Sequence, residues 1–266
     1  MIRLAQQLFV YITCLFFPLK CLKCGKIISK DRAGSHNDCF ESLFSDFFCS
    51  DCISIGFVKF EPPFCKRCGV KFETIEHGQD QNHVCGQCIK TSCNTGQVRA
   101  GARYKGLVKE SISLFKYQKK LGLASPLEKI IFSAFEKYFS FSEIDIVIPV
   151  PLHISKLRFR GFNQSFLIIK HFKKILKDKK IDFQFDIDIS SLIRIKKTNP
   201  QTQFSLEQRK ENVQGAFKVI DVRKVKDKRV LLIDDVYTTG ATAKEAASEL
   251  IKAGAINVDV LVIARV

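Results

Sequence analysis

Two adjacent carboxylates followed by a hydroxyl-rich turn give this sequence its strongest chemical signal. The segment from Val230 to Thr242 reads VLLIDDVYTTGAT. Its four leading apolar residues are typical of a buried strand, and Asp234 and Asp235 follow them directly. The turn 238–240 then leads into a helix, whose first amides carry partial positive charge and bind anions. The pattern predicts a nest for a phosphate, beside carboxylates that can accept hydrogen bonds from sugar hydroxyls and help to hold Mg²⁺.

Eight of the eleven cysteines form four Cys-x-x-Cys pairs, each able to present two thiolates on one side of a turn. Two pairs together make a tetrahedral four-sulfur zinc site with no open position, which is a structural site. The simplest assignment places one zinc ion on the first two pairs and another on the last two, and an interleaved assignment stays open. This spacing is rare in disulfide frameworks, so it favours a reducing, cytoplasmic location. The predicted ligands are Cys21, Cys24, Cys49, Cys52, Cys65, Cys68, Cys85 and Cys88.

The elements that must position the acids alternate between strand and helix. Apolar runs predict strands at 144–150, 190–193, 216–219, 230–233 and 258–263. Amphipathic patterns predict helices at 126–141, 165–176 and 241–253. This alternation predicts an α/β fold with a parallel sheet flanked by helices. Residues 21–93 lack a helical period and are expected to form a small metal-stapled module. The predicted domains are an apolar or amphipathic N-terminal segment at 1–20, the cysteine module at 21–93 and the α/β domain at 94–266.

Positive charge is concentrated in the second domain. Residues 96–266 contain 32 Lys and Arg against 18 Asp and Glu, a net charge of +14. Such a domain favours anionic partners, namely a phosphorylated substrate, nucleic acid or an acidic membrane surface, although an evenly solvated basic surface is the simpler alternative. The apolar run at 8–17 is too short to span a bilayer. It is interpreted as a short amphipathic helix that docks on a domain, with peripheral membrane contact left open.

The strand–acids–turn segment resembles the motif of type I phosphoribosyltransferases that binds 5-phosphoribosyl 1-pyrophosphate (PRPP). The resemblance implies that Asp234 and Asp235 contact the ribose hydroxyls of Mg²⁺–PRPP. It implies that the 5′-phosphate is held by Thr238, Thr239, Gly240, Ala241 and Thr242.

Three further segments are similar to the ComF family of competence proteins. They read IPVPLH at 148–153, LRFRGFNQ at 157–164, and R-x-K-x-T-x-x-Q at 194–201, and LFKY at 114–117 is also similar. This resemblance implies a type I phosphoribosyltransferase fold preceded by a double zinc ribbon. Two departures are a longer gap between the first two cysteine pairs and a Lys-rich segment after Tyr117.

Several residues outside the turn have chemistry suited to pyrophosphate. The Pro-Val-Pro loop at 149–151 is stiff and is expected to aim N–H groups at a phosphate, and two nearby arginines supply forked donors. The polar segment 194–203 resembles a loop that closes over bound PRPP. Simpler interpretations are a solvated helix start for the arginines and a mobile basic loop for the lysine. These candidates are Val150, Pro151, Arg158, Arg160 and Lys196.

Two functions stay open at this point. In the first, a nucleophile displaces pyrophosphate from Mg²⁺–PRPP, and the family resemblance links the protein to DNA uptake in natural transformation. No residue identifies the acceptor, and a low-turnover or inactive version fits the sequence equally well. In the second, the protein is a non-catalytic single-stranded DNA-binding component of the competence machinery that uses the same fold, which the charge of +14 suits.

Overall fold

A computed structural model describes residues 18–28, 40–54, 56–72, 83–90, 95–198 and 211–266. Nearly all of the predicted N-terminal segment lies outside these ranges, as does Gln201 of the ComF-like signature. Across the described ranges, no helix combines the length and the apolar character that crossing a membrane requires.

A parallel five-stranded sheet forms the centre of the fold, with strand order β1-β7-β6-β2-β3. A separate antiparallel pair joins β4 and β5. The strands are β1 (Val98–Arg103), β2 (Ile146–Pro149), β3 (Asp186–Ile187), β4 (Leu192–Arg194), β5 (Phe217–Val219), β6 (Arg229–Tyr237) and β7 (Asn257–Arg265). The central strands are almost wholly apolar because a parallel sheet is covered on both faces.

Helices cover the sheet, as the alternating pattern predicts. They are α1 (Ser50–Ile53), α2 (Gly86–Lys90), α3 (Gly106–Tyr117), α4 (Ala124–Tyr138), α5 (Ile154–Arg160), α6 (Gln164–Leu167), α7 (Phe172–Asp178) and α8 (Ala241–Lys252). The α/β fold predicted from the sequence is therefore confirmed. The single helix predicted at 165–176 is wrong, because α6 and α7 are separate. Ile168 and Ile169 lie in the turn between the two helices, and this turn lets both side chains be fully buried.

Strand β1 has no sequence signal of its own, because its Ala and Gly residues have low strand propensity. The reason for those small residues is close packing against α4. A Cβ added at Gly101 would lie 2.6 Å from Ile130 Cγ2, so the sheet and the helix approach each other more closely than a larger residue permits.

The first cysteine region packs directly on the α/β domain. Phe44 and Phe48 lie between its two cysteine pairs and are at most 1% exposed. They share one apolar cluster with Ile131 and Phe135 of α4. Beyond the second pair, Phe60 N donates to Gly101 O at 3.4 Å and extends the edge of β1. The cysteine region and the α/β domain therefore share a hydrophobic core.

Candidate functional site

Both acids lie inside strand β6 rather than after it. The strand predicted at 230–233 in fact continues to Tyr237, because its parallel pairing with β7 extends through Asp234, Val236 and Tyr237. The ladder fixes the backbone of both acids, so their carboxylates are held by regular structure and not by a flexible turn.

Asp235 forms a buried ion pair with Lys116 near the end of α3. The Nζ–Oδ1 distance is 2.5 Å, and the exposed fractions of the two side chains are 17% for Lys116 and 6% for Asp235. Burial opposes the lysine's charge, but the carboxylate outweighs burial and raises the pKa of Lys116. The second oxygen of Asp235, Oδ2, is buried and has no hydrogen-bond partner among the described residues. One acid is thus neutralised from within the protein.

Asp234 is held differently and is only partly buried. Its Oδ1 accepts from Ser165 Oγ at 3.3 Å and from the backbone N–H of Asp235 at 2.8 Å. Burial, followed by the negative charge of Asp235, raises the pKa of Asp234 to about 7, while Lys116 and Arg194 oppose the shift. Loss of a proton near neutral pH therefore changes the charge of the site.

We expect this raised pKa to appear in the stability of the protein. Between the ordinary aspartate value and about 7, the folded state binds a proton that the unfolded state has lost, so stability falls as the pH rises through this range. In Asp234→Asn this contribution disappears, and denaturant midpoints measured from pH 5 to 8 in magnesium-free buffer should fall less steeply than in the wild type. Identical pH profiles would contradict the assignment.

The turn after β6 closes a small pocket with Asp234. The pocket is lined by Asp234, Val236, Tyr237, Thr238, Gly240, Ala241, Thr242 and Ala243. Gly240 has φ 78° and precedes α8, and an added Cβ would collide with the Tyr237 ring. The Thr239 hydroxyl accepts from Ala241 N at 3.3 Å and orders the first turn of the helix. The structure thus brings together one acid, two threonines and the N-terminus of a twelve-residue helix.

A cluster of cations lies beside the acids, and the sequence alone indicates no contact between the acids and any of these cations. Lys156 on α5 is half-buried, and its pKa is lowered to about 8 by burial and by nearby cations. Those cations are Arg194, Arg160, Lys116 and Lys197. Arg194 is partly buried, which lowers the pKa of its guanidinium, and the nearby charge of Asp234 opposes this shift. Lys116 and Arg194 lie in segments that resemble the ComF family, but the sequence does not show that they lie near the acids, and Lys156 has no such signal.

The other residues predicted to bind pyrophosphate differ in their surroundings. Arg158 is exposed on α5, and Arg160 donates to Gln164 Oε1 at 2.5 Å. Lys196 is exposed and its Nζ contacts Gln214 O at 3.4 Å. Arg194, not Lys196, is the residue of this segment that interacts with the acids.

The expected role of the Pro-Val-Pro loop needs correction. Val150 N donates to Ile233 O at 2.8 Å, and Pro149 and Pro151 have no N–H. Within this loop no N–H is left for a phosphate. Val150 O also accepts from Asn163 Nδ2 at 3.1 Å, so the loop is a rigid support that joins β2 to the start of α6.

The eight predicted zinc ligands form two separate clusters. In each, the four sulfur atoms lie within 4.8 Å of one another, and the pairs combine in sequential order: Cys21, Cys24, Cys49, Cys52, and Cys65, Cys68, Cys85, Cys88. A tetrahedral zinc with Zn–S of about 2.3 Å separates its sulfurs by about 3.8 Å. The Cys24–Cys49 and Cys68–Cys85 sulfur distances are both 3.6 Å, so the clusters fit the metal. The structure favours the sequential assignment over the interleaved one.

Known proteins resemble this chain in both of its parts. Residues 63–91 match the family described as zinc finger found in FPG and IleRS. Competence protein F of Haemophilus influenzae is 23% identical over 254 residues, which cover 94% of this chain and 98% of that protein. Competence protein ComFC of Bacillus subtilis is 24% identical, covering 89% and 90%. DNA utilization protein YhgH of Escherichia coli K12 is 25% identical, covering 76% and 83%.

Two solved structures align with the chain at low similarity. The allosteric regulatory enzyme of purine biosynthesis gives a TM-score of 0.32 at 19% identity, and the glutamine PRPP amidotransferase of B. subtilis gives 0.34 at 18%. The alignments cover 53% and 56% of this chain, which spans only 26% and 30% of those two chains.

The chain is an α/β protein with a parallel sheet, preceded by zinc-binding cysteine clusters. Its central strand with an acid doublet, followed by a threonine-rich turn before a helix, resembles the corresponding segment of type I phosphoribosyltransferases. Relatives named for competence and DNA utilization extend over most of the sequence. These relatives support the resemblance to the ComF family that the sequence motifs indicate.

Proposed function

We propose that the pocket between β6 and α8 binds Mg²⁺–PRPP or a related ribose phosphate. The observation that carries this proposal is the shared pocket of Asp234 and the turn Thr238–Thr242. A helix N-terminus with threonine hydroxyls suits a phosphate, and a carboxylate beside it suits sugar hydroxyls or a hard cation.

The neighbouring cations supply a place for the second phosphate group. Arg194 and Arg160 lie close enough to Lys156 to help burial lower its pKa, and repulsion of this kind is relieved by an anion. Charged donors aimed at a pyrophosphate would stabilise it as a leaving group, so the same arrangement serves either transfer or simple binding. Phosphoribosyl transfer also requires an acceptor substrate, and these residues do not identify one.

The cellular role is proposed from the relatives. Proteins named for competence and DNA utilization support a role in DNA uptake or handling, inside the cytoplasm where thiolates keep their zinc. A ribose phosphate is the common unit of PRPP and of nucleic acid, so a site for it is compatible with either ligand.

We expect Mg²⁺–PRPP to bind the wild type in titration calorimetry and not to bind Asp234→Asn/Asp235→Asn. The reason is that Asp234, which lines the pocket, loses the charge that accepts hydrogen bonds from the ribose, whereas Asp235 is already neutralised by Lys116. Asp182→Asn makes the same chemical change at an exposed residue before β3 and should bind like the wild type. Equal binding by the double variant and the wild type would refute the site.

A further inference from the structure

Arg265, the last residue of β7, is a buried cation at the edge of the sheet where β6 leads into the threonine-rich turn. The residue is 7% exposed, and its Nε and Nη1 atoms are buried without a hydrogen-bond partner in the described part of the chain. Burying a charged group that is not hydrogen-bonded is costly, and buried polar groups in folded proteins nearly always have partners. The packing of the core therefore gives no reason for an arginine at this position.

The surroundings of Arg265 do not compensate its positive charge. No carboxylate in the described ranges forms an ion pair with it. Its in-register neighbour on β1 is Arg103, so a second cation lies at the end of the adjacent strand. Like charges on adjacent strands repel each other, and the repulsion is stronger where water is excluded. This edge of the sheet therefore has an excess of positive charge that an anion would neutralise.

Arg265 is connected to the proposed site through Tyr237. The two residues are in register on β7 and β6, and the guanidinium carbon lies 4.5 Å from the centre of the Tyr237 ring. The same ring lines the pocket and packs so closely on Gly240 that a Cβ there would collide with it. One aromatic side chain therefore separates the cation from the turn before α8. Ligands of parallel α/β sheets bind at this carboxyl end of the strands.

Arg99 of β1 shows how a buried arginine is accommodated when packing alone accounts for it. It is 8% exposed, and its guanidinium carbon lies 5.0 Å from the centre of the Phe64 ring. Its Nη1 donates to Val98 O at 2.9 Å, and none of its nitrogens is buried without a partner among the described residues. Arg265 has the stacked ring but not the acceptor, so stacking alone does not explain it.

We infer that Arg265 is a positioning residue of the proposed ribose-phosphate site, and that the phosphate group held at the turn neutralises its charge. The guanidinium acts through the Tyr237 ring: it holds the ring against Gly240 and adds positive potential behind the helix N-terminus. A charge that is shielded from water is screened less by salt than an exposed one. The inference rests on the proposed function, since it needs a phosphate at the turn that Asp234 faces across the pocket.

Titration calorimetry with Mg²⁺–PRPP on the zinc-loaded full chain tests the inference. Arg265→Met keeps much of the side chain and removes its charge, so the affinity should fall by about tenfold. Arg265→Lys restores the charge and should recover part of this loss. Without ligand, Arg265→Met should have a urea midpoint no lower than that of the wild type, because the substitution removes an uncompensated buried charge. A purely structural role predicts instead that stability and affinity fall together.

Arg99→Met is the matched control, because it makes the same change at a second buried arginine stacked on an aromatic ring, and it should bind Mg²⁺–PRPP like the wild type. The inference is overturned if Arg265→Met binds like the wild type, if its weaker binding accompanies a lower urea midpoint, or if Arg265→Lys binds no better than Arg265→Met. If the wild type does not bind Mg²⁺–PRPP, the proposed function fails and this inference fails with it. Equal binding by the wild type and Arg265→Met overturns the inference alone.

Discussion

Replacing Lys116 by Met is expected to destabilise the protein by about 3–5 kcal/mol, because it leaves the Asp235 carboxylate buried without its partner. The methionine fills much of the same space, so the loss reports on charge and not on a cavity. Urea denaturation at pH 7 measures it as a drop in the midpoint. The loss should be smaller at pH 5, because an unpaired buried carboxylate is protonated more readily.

A second substitution tests the cause. In Lys116→Met/Asp235→Asn both charges are gone, and most of the lost stability should return, giving a coupling energy of the size that contacting residues show, about 0.5–3 kcal/mol. Lys173→Met breaks an ion pair with Asp186 in which the carboxylate side chain is 83% exposed, and it should change the midpoint very little. If the buried and exposed lysines had equal effects, the buried pair would not be stabilising β6.

Removing a zinc ligand from the first cysteine cluster should destabilise the whole protein, whereas the same change in the second cluster should destabilise the α/β domain less. Cys52 is buried in the apolar core that also contains Phe44 and Phe48. A structural zinc contributes directly to the free energy of folding. In Cys52→Ser we expect one zinc fewer per chain and a loss of about 3–6 kcal/mol, since each of the two phenylalanines contributes about 1.5–3 kcal/mol through burial.

Cys85→Ser is the matched change in the second cluster. It should also lose one zinc per chain, measured by mass spectrometry of the metal, but with a smaller shift in the thermal midpoint of the α/β domain. The reason is that none of the second-cluster cysteines belongs to either apolar core in the described part of the chain. Equal thermal midpoints for the two variants would show that the first cluster does not support the core.

The parts of this protein that could be predicted from the sequence are those with short-range patterns. Cysteine spacing predicted two metal clusters, and the order apolar strand, acids, threonine turn and helix predicted the pocket at Asp234, because each depends on neighbours in the chain. The partner of Asp235 could not be predicted in this way, since Lys116 is 119 residues distant. Strand β1 could not be predicted for a related reason. Position 101 requires glycine because α4 packs closely against it, and glycine has low strand propensity.

The shared core of Phe44 and Phe48 with α4 sets an order of events during synthesis. The ribosome releases both cysteine pairs of the first cluster about seventy residues before it begins α4, so a zinc-loaded knuckle with two uncovered phenylalanine rings must wait for the helix that will cover them. At about 5–20 residues per second this delay lasts several seconds. The two rings stay uncovered during that interval, so we expect a shortage of zinc to lower the yield of folded protein before any ligand binds.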